Sequence, residues 1–174
     1  MNISIKYNDI IDEFTTDLTL QMRLDGYIKR HFYPAYVIAQ LCPIYLLGGA
    51  IRDLIYATKP KDLDFVIIGK EHLEWIMQVF KKFGIKYSYN RFGGFKFIYH
   101  DTEIDLWLSD DLFSAIQYNV DGLFFDLKNN SLLSLTFEDF ITNDLKLVNS
   151  DNNIENGREK KLIKFREKVK NDHK

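Results

Sequence analysis

Asp62 and Asp64 stand two residues apart at the head of an apolar run that ends at Ile68. In an extended strand, side chains two apart share a face. Both carboxylates then point one way, while Leu63 and Phe65 point into a core. Adjacent carboxylates repel unless a cation sits between them, and hard divalent ions such as Mg²⁺ take such oxygen ligands together with substrate phosphates. Asp105, in Thr102-Glu103-Ile104-Asp105-Leu106-Trp107, is a third acid set between apolar neighbours. On a strand beside the first it would complete a cluster of Asp62, Asp64 and Asp105 holding two metal ions. Such a pair activates an attacking hydroxyl and braces a leaving pyrophosphate. Taken singly, Asp62 and Asp64 read first as a solvated strand end, and Asp105 reads as well as an edge-strand acid facing water.

Upstream lies Leu46-Leu47-Gly48-Gly49-Ala50-Ile51-Arg52-Asp53-Leu54. Glycines between a strand and a helix let backbone approach a ligand without a Cβ in the way. The helix start beyond them offers free N–H groups to phosphate. The same dipeptide also makes a plain tight turn. Arg91 beside Gly93-Gly94 is a second turn that either approaches phosphate or only closes a hairpin. The four histidines, His31, His72, His100 and His173, show no metal-ligand spacing. The single Cys42, next to Pro43, reads as a small buried residue.

Gly-Gly-x-x-Arg-Asp followed by Asp-x-Asp-Phe-Val resembles the head domain of class II CCA-adding tRNA nucleotidyltransferases and bacterial poly(A) polymerases. These belong to the DNA polymerase β-like nucleotidyltransferase superfamily. The resemblance is carried by Ile44–Ile68 and extends to the Ile-Asp-Leu setting of Asp105. It implies a small mixed sheet with helices, with Gly48 and Gly49 gripping an incoming ATP or CTP. It also implies Mg²⁺ on Asp62 and Asp64, and Arg52 and Lys61 near the phosphates. Arg52 has an alternative, an internal ion pair with Asp53 or a catalytic acid; Lys61 has another, a solvated loop. The family's next block, Arg-Arg-Asp-Phe-Thr-x-Asn-Ala, meets Ala115-Ile116-Gln117-Tyr118-Asn119-Val120-Asp121-Gly122 here. Its two arginines and first acid fall on Ala115, Ile116 and Gln117, and Asp121 stands where the family has Asn. The family's neck, body and tail domains have no counterpart in the sequence; the terminal helix echoes at most the start of the neck, with Arg166 its most family-like residue.

The elements needed to position these groups alternate along the chain. Helices are expected over 8–24 and 34–41, a strand at Ile44–Leu47, a helix at Ala50–Ala57 and a strand at Leu63–Ile68. A helix at Glu71–Phe83 ends at Gly84. Strands follow at Ile85–Tyr89, Phe95–Tyr99 and Ile104–Leu108. Leu123–Leu127 and Leu132–Leu135 form a hairpin around Lys128-Asn129-Asn130. Phe137–Thr142 reads as a short helix and Leu145–Val148 as a last strand. The expected class is α+β of α/β type: a small mixed sheet with helices on one side. Residues 1–149 form the head domain and 150–157 a polar linker. Residues 158–174 form a basic amphipathic helix, capped by Asn156 and Glu159 and striped by Leu162, Phe165 and Val169.

With 174 residues, 46% of them hydrophobic, the chain suits one domain with a packed core and excludes wholesale disorder. The formal charge of -2 hides an asymmetry, since Arg158–Lys174 carries +5 and residues 1–157 carry -7. An acidic body excludes broad non-specific nucleic-acid binding and leaves a local basic site or a metal centre. No long apolar run or signal-like start is found, so no membrane association and a reducing, cytoplasmic setting are expected. Two functions follow. The first is a Mg²⁺-dependent nucleotidyltransferase moving NMP from an NTP to an acceptor hydroxyl, foremost an RNA or tRNA-like 3′ end met by the 158–174 helix. Its acceptor is alternatively a protein or small molecule, as in toxin-like enzymes. The second is a non-catalytic nucleotide-sensing or partner-binding module on the same scaffold.

Overall fold

A computed structural model describes residues 17–90, 93–136, 148, 163–165, 167, 168 and 171. Helix α1 (Leu18–Phe32) opens on Asp17, whose side chain accepts a hydrogen bond from the Leu20 amide at 3.0 Å. That cap satisfies one of the N–H groups a helix start leaves without a partner. Leu20, Leu24, Ile28 and Phe32 recur every four residues, and all are buried. The helix therefore runs past the expected end at residue 24 and straight through Gly26. Burying Ile28 and Phe32 outweighs the roughly 1 kcal/mol a mid-helix glycine costs. Residues 8–16 of the expected helix lie outside the described residues. Helix α2 (Pro34–Ala39) starts on Pro34, whose missing N–H is not needed in a first turn.

Seven strands form one mixed sheet. They are β1 (Ile44–Leu47), β2 (Asp62–Ile68), β3 (Ser88–Tyr89), β4 (Phe95–Tyr99), β5 (Thr102–Ser109), β6 (Leu123–Asp126) and β7 (Ser131–Ser134). Their order is β3-β4-β5-β2-β1-β6-β7. The central pair β2–β5 is parallel and the remaining neighbours are antiparallel. A parallel pair needs a long crossover. Here it contains a 3-10 turn at Lys70–His72, helix α4 (Leu73–Lys82) and the β3–β4 hairpin. Helix α3 (Gly49–Ile55) links β1 to β2.

The sheet has two unlike faces. One is covered by the helices: Phe65, Ile67, Ile104, Leu106, Phe95 and Phe97 pack there with Phe32, Ile51 and Phe80 in a single large core. The other face carries a small apolar cluster of Leu47, Val66, Ile116 and Phe124, with Trp107 beside it. Along β2 and β5 burial alternates, leaving Asp62, Asp64, Glu103 and Asp105 partly exposed on this second face. The α+β class with helices on one side is thus the architecture found.

Several boundaries differ from the sequence reading. The strand expected over Ile85–Tyr89 pairs only at Ser88 and Tyr89; Ile85 and Tyr87 pack against the core instead. Strand β5 begins at Thr102, which brings Glu103 into the ladder. The β6–β7 hairpin turns at Lys128-Asn129-Asn130 as expected. Asp126 fastens it by accepting from the Lys128 and Asn129 amides at 2.9 and 3.1 Å. The helix expected at Phe137–Thr142, the strand at Leu145–Val148 apart from Val148, and the linker 150–157 lie outside the described residues. So do Arg91, Asn156, Glu159, Leu162, Arg166 and Val169. The described residues between 163 and 171 are helical.

Candidate active site

Strand pairing brings the acids together. In the parallel β2–β5 ladder Asp64 lies directly beside Asp105, and Asp62 beside Glu103. Period 2 aims all four side chains at the partly open face. The sequence reading named Asp62, Asp64 and Asp105 and missed Glu103. The signal was available: Glu103-Ile104-Asp105 repeats the alternation of Asp62-Leu63-Asp64.

Helix α1 holds the starts of both strands. The Tyr27 hydroxyl donates to the Pro60 carbonyl at 3.5 Å, just ahead of Asp62. One turn on, His31 Nδ1 is hydrogen-bonded to Thr102 Oγ1 at 2.9 Å, just ahead of Glu103. The two rings stack at 4.1 Å. Burial, with the charges of Arg30 and Lys59, keeps the His31 pKa below its ordinary value.

The glycine loop meets this face. Leu47 pairs with Asp64, so β1 delivers Gly48 to the carboxylate. Gly48 has φ 75° and ψ -135°, which an L side chain rarely adopts, and a Cβ there would stand 3.4 Å from Asp64 Oδ2. Gly49 has open space where its Cβ would be. A ligand at Asp64 thus meets no side chain at Gly48, which is itself buried, or at the partly exposed Gly49.

Asp105 is already engaged. Lys96, its cross-strand partner on β4, donates to Asp105 Oδ2 at 3.3 Å and also bonds Glu103 Oε1. Asn90 Nδ2 donates to Asp105 Oδ1 at 3.3 Å. Gly94 makes that possible, because a Cβ there would come within 3.0 Å of Asn90 Nδ2 and 2.9 Å of the Trp107 Cβ. The hydrogen bond to Glu103 leads in raising the Lys96 pKa, and the same bond leads in lowering that of Glu103, helped by Lys61. Lys61 itself is exposed beside Asp62.

Arg52 is placed as an internal ion pair. Its guanidinium donates to Asp121 Oδ1 and to the Val120 carbonyl, both at 3.3 Å, and the two side chains are 12% and 4% exposed. Asp121 Oδ2 in turn accepts from the Tyr118 amide at 3.1 Å. The sequence suggested an internal ion pair, with Asp53 or a catalytic acid; the pair seen here is with Asp121. It is the residue standing where the family block has Asn. Gln117, Asn119 and Asp121 are all buried, so this block serves the interior. Phe165 of the C-terminal helix packs against Tyr56 and the Arg52 guanidinium, and Lys168 Nζ sits 3.7 Å over the Tyr56 ring.

The donor set suits a hard divalent ion: carboxylate oxygens, partly open to solvent, beside backbone that carries no side chain. Asp62 and Asp64 fit that role. Among the described residues, no three His, Cys, Asp or Glu side chains converge tightly enough to enclose one ion, and Asp105 faces Lys96 instead. Cys42 is buried and its thiol pKa is pushed up to about 11, which leaves it inert.

No family model and no curated protein matches the chain. Solved structures do. It is similar to the Thermotoga maritima CCA-adding enzyme complexed with tRNA_CCA, with a TM-score of 0.58 over 88% of this chain and 45% of that one, at 18% identity. It is similar to a CCA-adding enzyme in complex with CTP, with a TM-score of 0.56 over 78% and 37%, also at 18% identity. The fold is that of a CCA-adding nucleotidyltransferase head. A tRNA-processing enzyme in an apo form aligns at a TM-score of 0.55, covering 71% of this chain and 37% of its own at 13% identity. This chain thus spans under half the length of these three proteins. It shares the fold of their head while fewer than one residue in five is identical. No helix among the described residues is long and apolar enough to cross a membrane.

Proposed function

We propose that this head is a nucleotidyltransferase that moves NMP from ATP or CTP to an acceptor hydroxyl, an RNA 3′ end of the tRNA kind. The observation carrying this reading is the placement of Asp62, Asp64 and Asp105 on one partly open face of adjoining strands, against the bare backbone of Gly48. The likeness to a CCA-adding enzyme that binds CTP supports the choice of nucleotide.

Asp62 and Asp64 would hold the metal, and Gly48 and Gly49 would admit the triphosphate. Bound there, Mg²⁺ supplies charge neutralisation at the phosphates and a more acidic acceptor hydroxyl. Lys61, exposed beside Asp62, meets the phosphates as a mobile point charge. Arg52 works at one remove: paired with Asp121, it fixes α3 and hence the loop that α3 begins from. In the reaction the acceptor oxygen bonds to the α-phosphorus and the bridge to the β-phosphate breaks. Pyrophosphate leaves, and the hydroxyl proton passes to solvent. The basic segment 158–174 would lie along the acceptor's phosphates.

The test is Mg²⁺-dependent incorporation of α-labelled ATP or CTP into RNA ending in an unfinished acceptor. Asp62→Asn and Asp64→Asn should each abolish it while leaving the fold intact. If the purified protein binds neither ATP nor CTP in calorimetry with Mg²⁺ present, the reading is wrong.

A further inference from the structure

Four carboxylates face one another across β2 and β5, in two side-by-side pairs, Asp62–Glu103 and Asp64–Asp105. Like charges directly opposite on neighbouring strands destabilise a sheet. The sheet answers part of this charge itself. Lys96 reaches over from β4, the strand on the far side of β5, and binds both β5 acids. Lys61 adds its field at Glu103. Two ammonium groups against four carboxylates leave the charge that one divalent ion carries.

We infer that Lys96 is a built-in cation taking the place of one of two metal ions, so that this head binds a single divalent ion, on Asp62 and Asp64. The inference rests on the metal-dependent reading above and sharpens it. A carboxylate held by an ammonium on one oxygen and by the Asn90 amide on the other has two of its four lone-pair sites taken and its charge already answered, which makes it a poorer ligand for a shared metal. Asn90 is fixed in turn, because its own Oδ1 accepts from the Gly94 amide at 2.9 Å. Lys96 is thus a positioning residue: it sets which way Asp105 faces and how many cations the face accepts. The lysine stem is about half exposed, so replacing it leaves no cavity.

The probe is Mn²⁺ alone, counted per chain by electron paramagnetic resonance on the full protein. The wild type should bind one ion. Lys96→Met should bind two, and Lys96→Met with Asp105→Asn should return to one. Lys96→Arg, which keeps the charge, should stay at one; a merely structural role for the side chain would not separate Met from Arg. Two ions on the wild type, or one on Lys96→Met, would overturn the inference while leaving a metal site on Asp62 and Asp64. No ion on the wild type would overturn the metal-dependent reading itself. Circular dichroism of each variant confirms that the fold is shared.

Discussion

Asp64 and Asp105 are register partners on two parallel strands, and the Gly48 backbone lies against the first of them. A ligand that neutralises this pair gains from relieved repulsion and meets no side chain at Gly48. Asp64→Asn should therefore lower nucleotide transfer by roughly a hundredfold or more, since several kcal/mol of transition-state charge stabilisation goes with the metal. The melting temperature should not fall, because one of two opposed charges is gone. A marked loss of stability would instead make Asp64 a structural residue.

The two loop glycines should part company under substitution. Gly48→Ala forces a side chain into a backbone region that costs about 1–3 kcal/mol, and should lower the melting temperature accordingly. Gly49→Ala meets open space and a helix start, so stability should hold. If the loop cradles a triphosphate, Gly49→Ala should still raise KM for the nucleotide. An unchanged KM would remove Gly49 from the binding surface.

Removing one half of the Arg52–Asp121 pair should be expensive. Asp121→Ala takes the counter-charge from a guanidinium that is mostly buried, and a loss of about 3–5 kcal/mol is expected in urea unfolding. Asp121→Asn retains an acceptor for Arg52 and should cost clearly less. Equal losses would show that shape, not the hydrogen bond, is what this position supplies.

Stability should fall on acidification through His31. Its folded pKa is below its ordinary value of 6.5, so the unfolded chain binds the proton more readily. The contribution is complete above pH 6.5 and is lost as pH drops from there toward the folded value. His31→Gln should flatten that part of the melting-temperature profile. An imidazole titrating above 6.5 by NMR would reverse the sign and sink this account.

The common face of the acids was legible in sequence because alternation is local: Leu63, Phe65, Ile104 and Leu106 announce which way Asp62, Asp64 and Asp105 point. The fold class was legible for the same reason. What the sequence concealed were relations between distant residues. Nothing near Lys96 reveals that it faces Asp105, since that depends on the β4–β5 register. Nothing near Arg52 reveals Asp121, which reaches it only after the β6 hairpin folds back on β1. The short reach of β3 was hidden too, because Ile85 and Tyr87 satisfy a strand pattern while packing under a helix instead.

The parallel pairing of β2 with β5 also sets a timetable. During synthesis, Asp62 and Asp64 leave the ribosome first, and residues 69–101 must follow before β5 can lie beside them. Lys96 emerges just ahead of Asp105, on the strand that forms a tight hairpin with β5. That hairpin closes fast, whereas the parallel contact waits on a long loop. Asp105 therefore arrives at the acidic strand already escorted by its ammonium, and two like-charged strands can dock without a metal ion to broker the meeting.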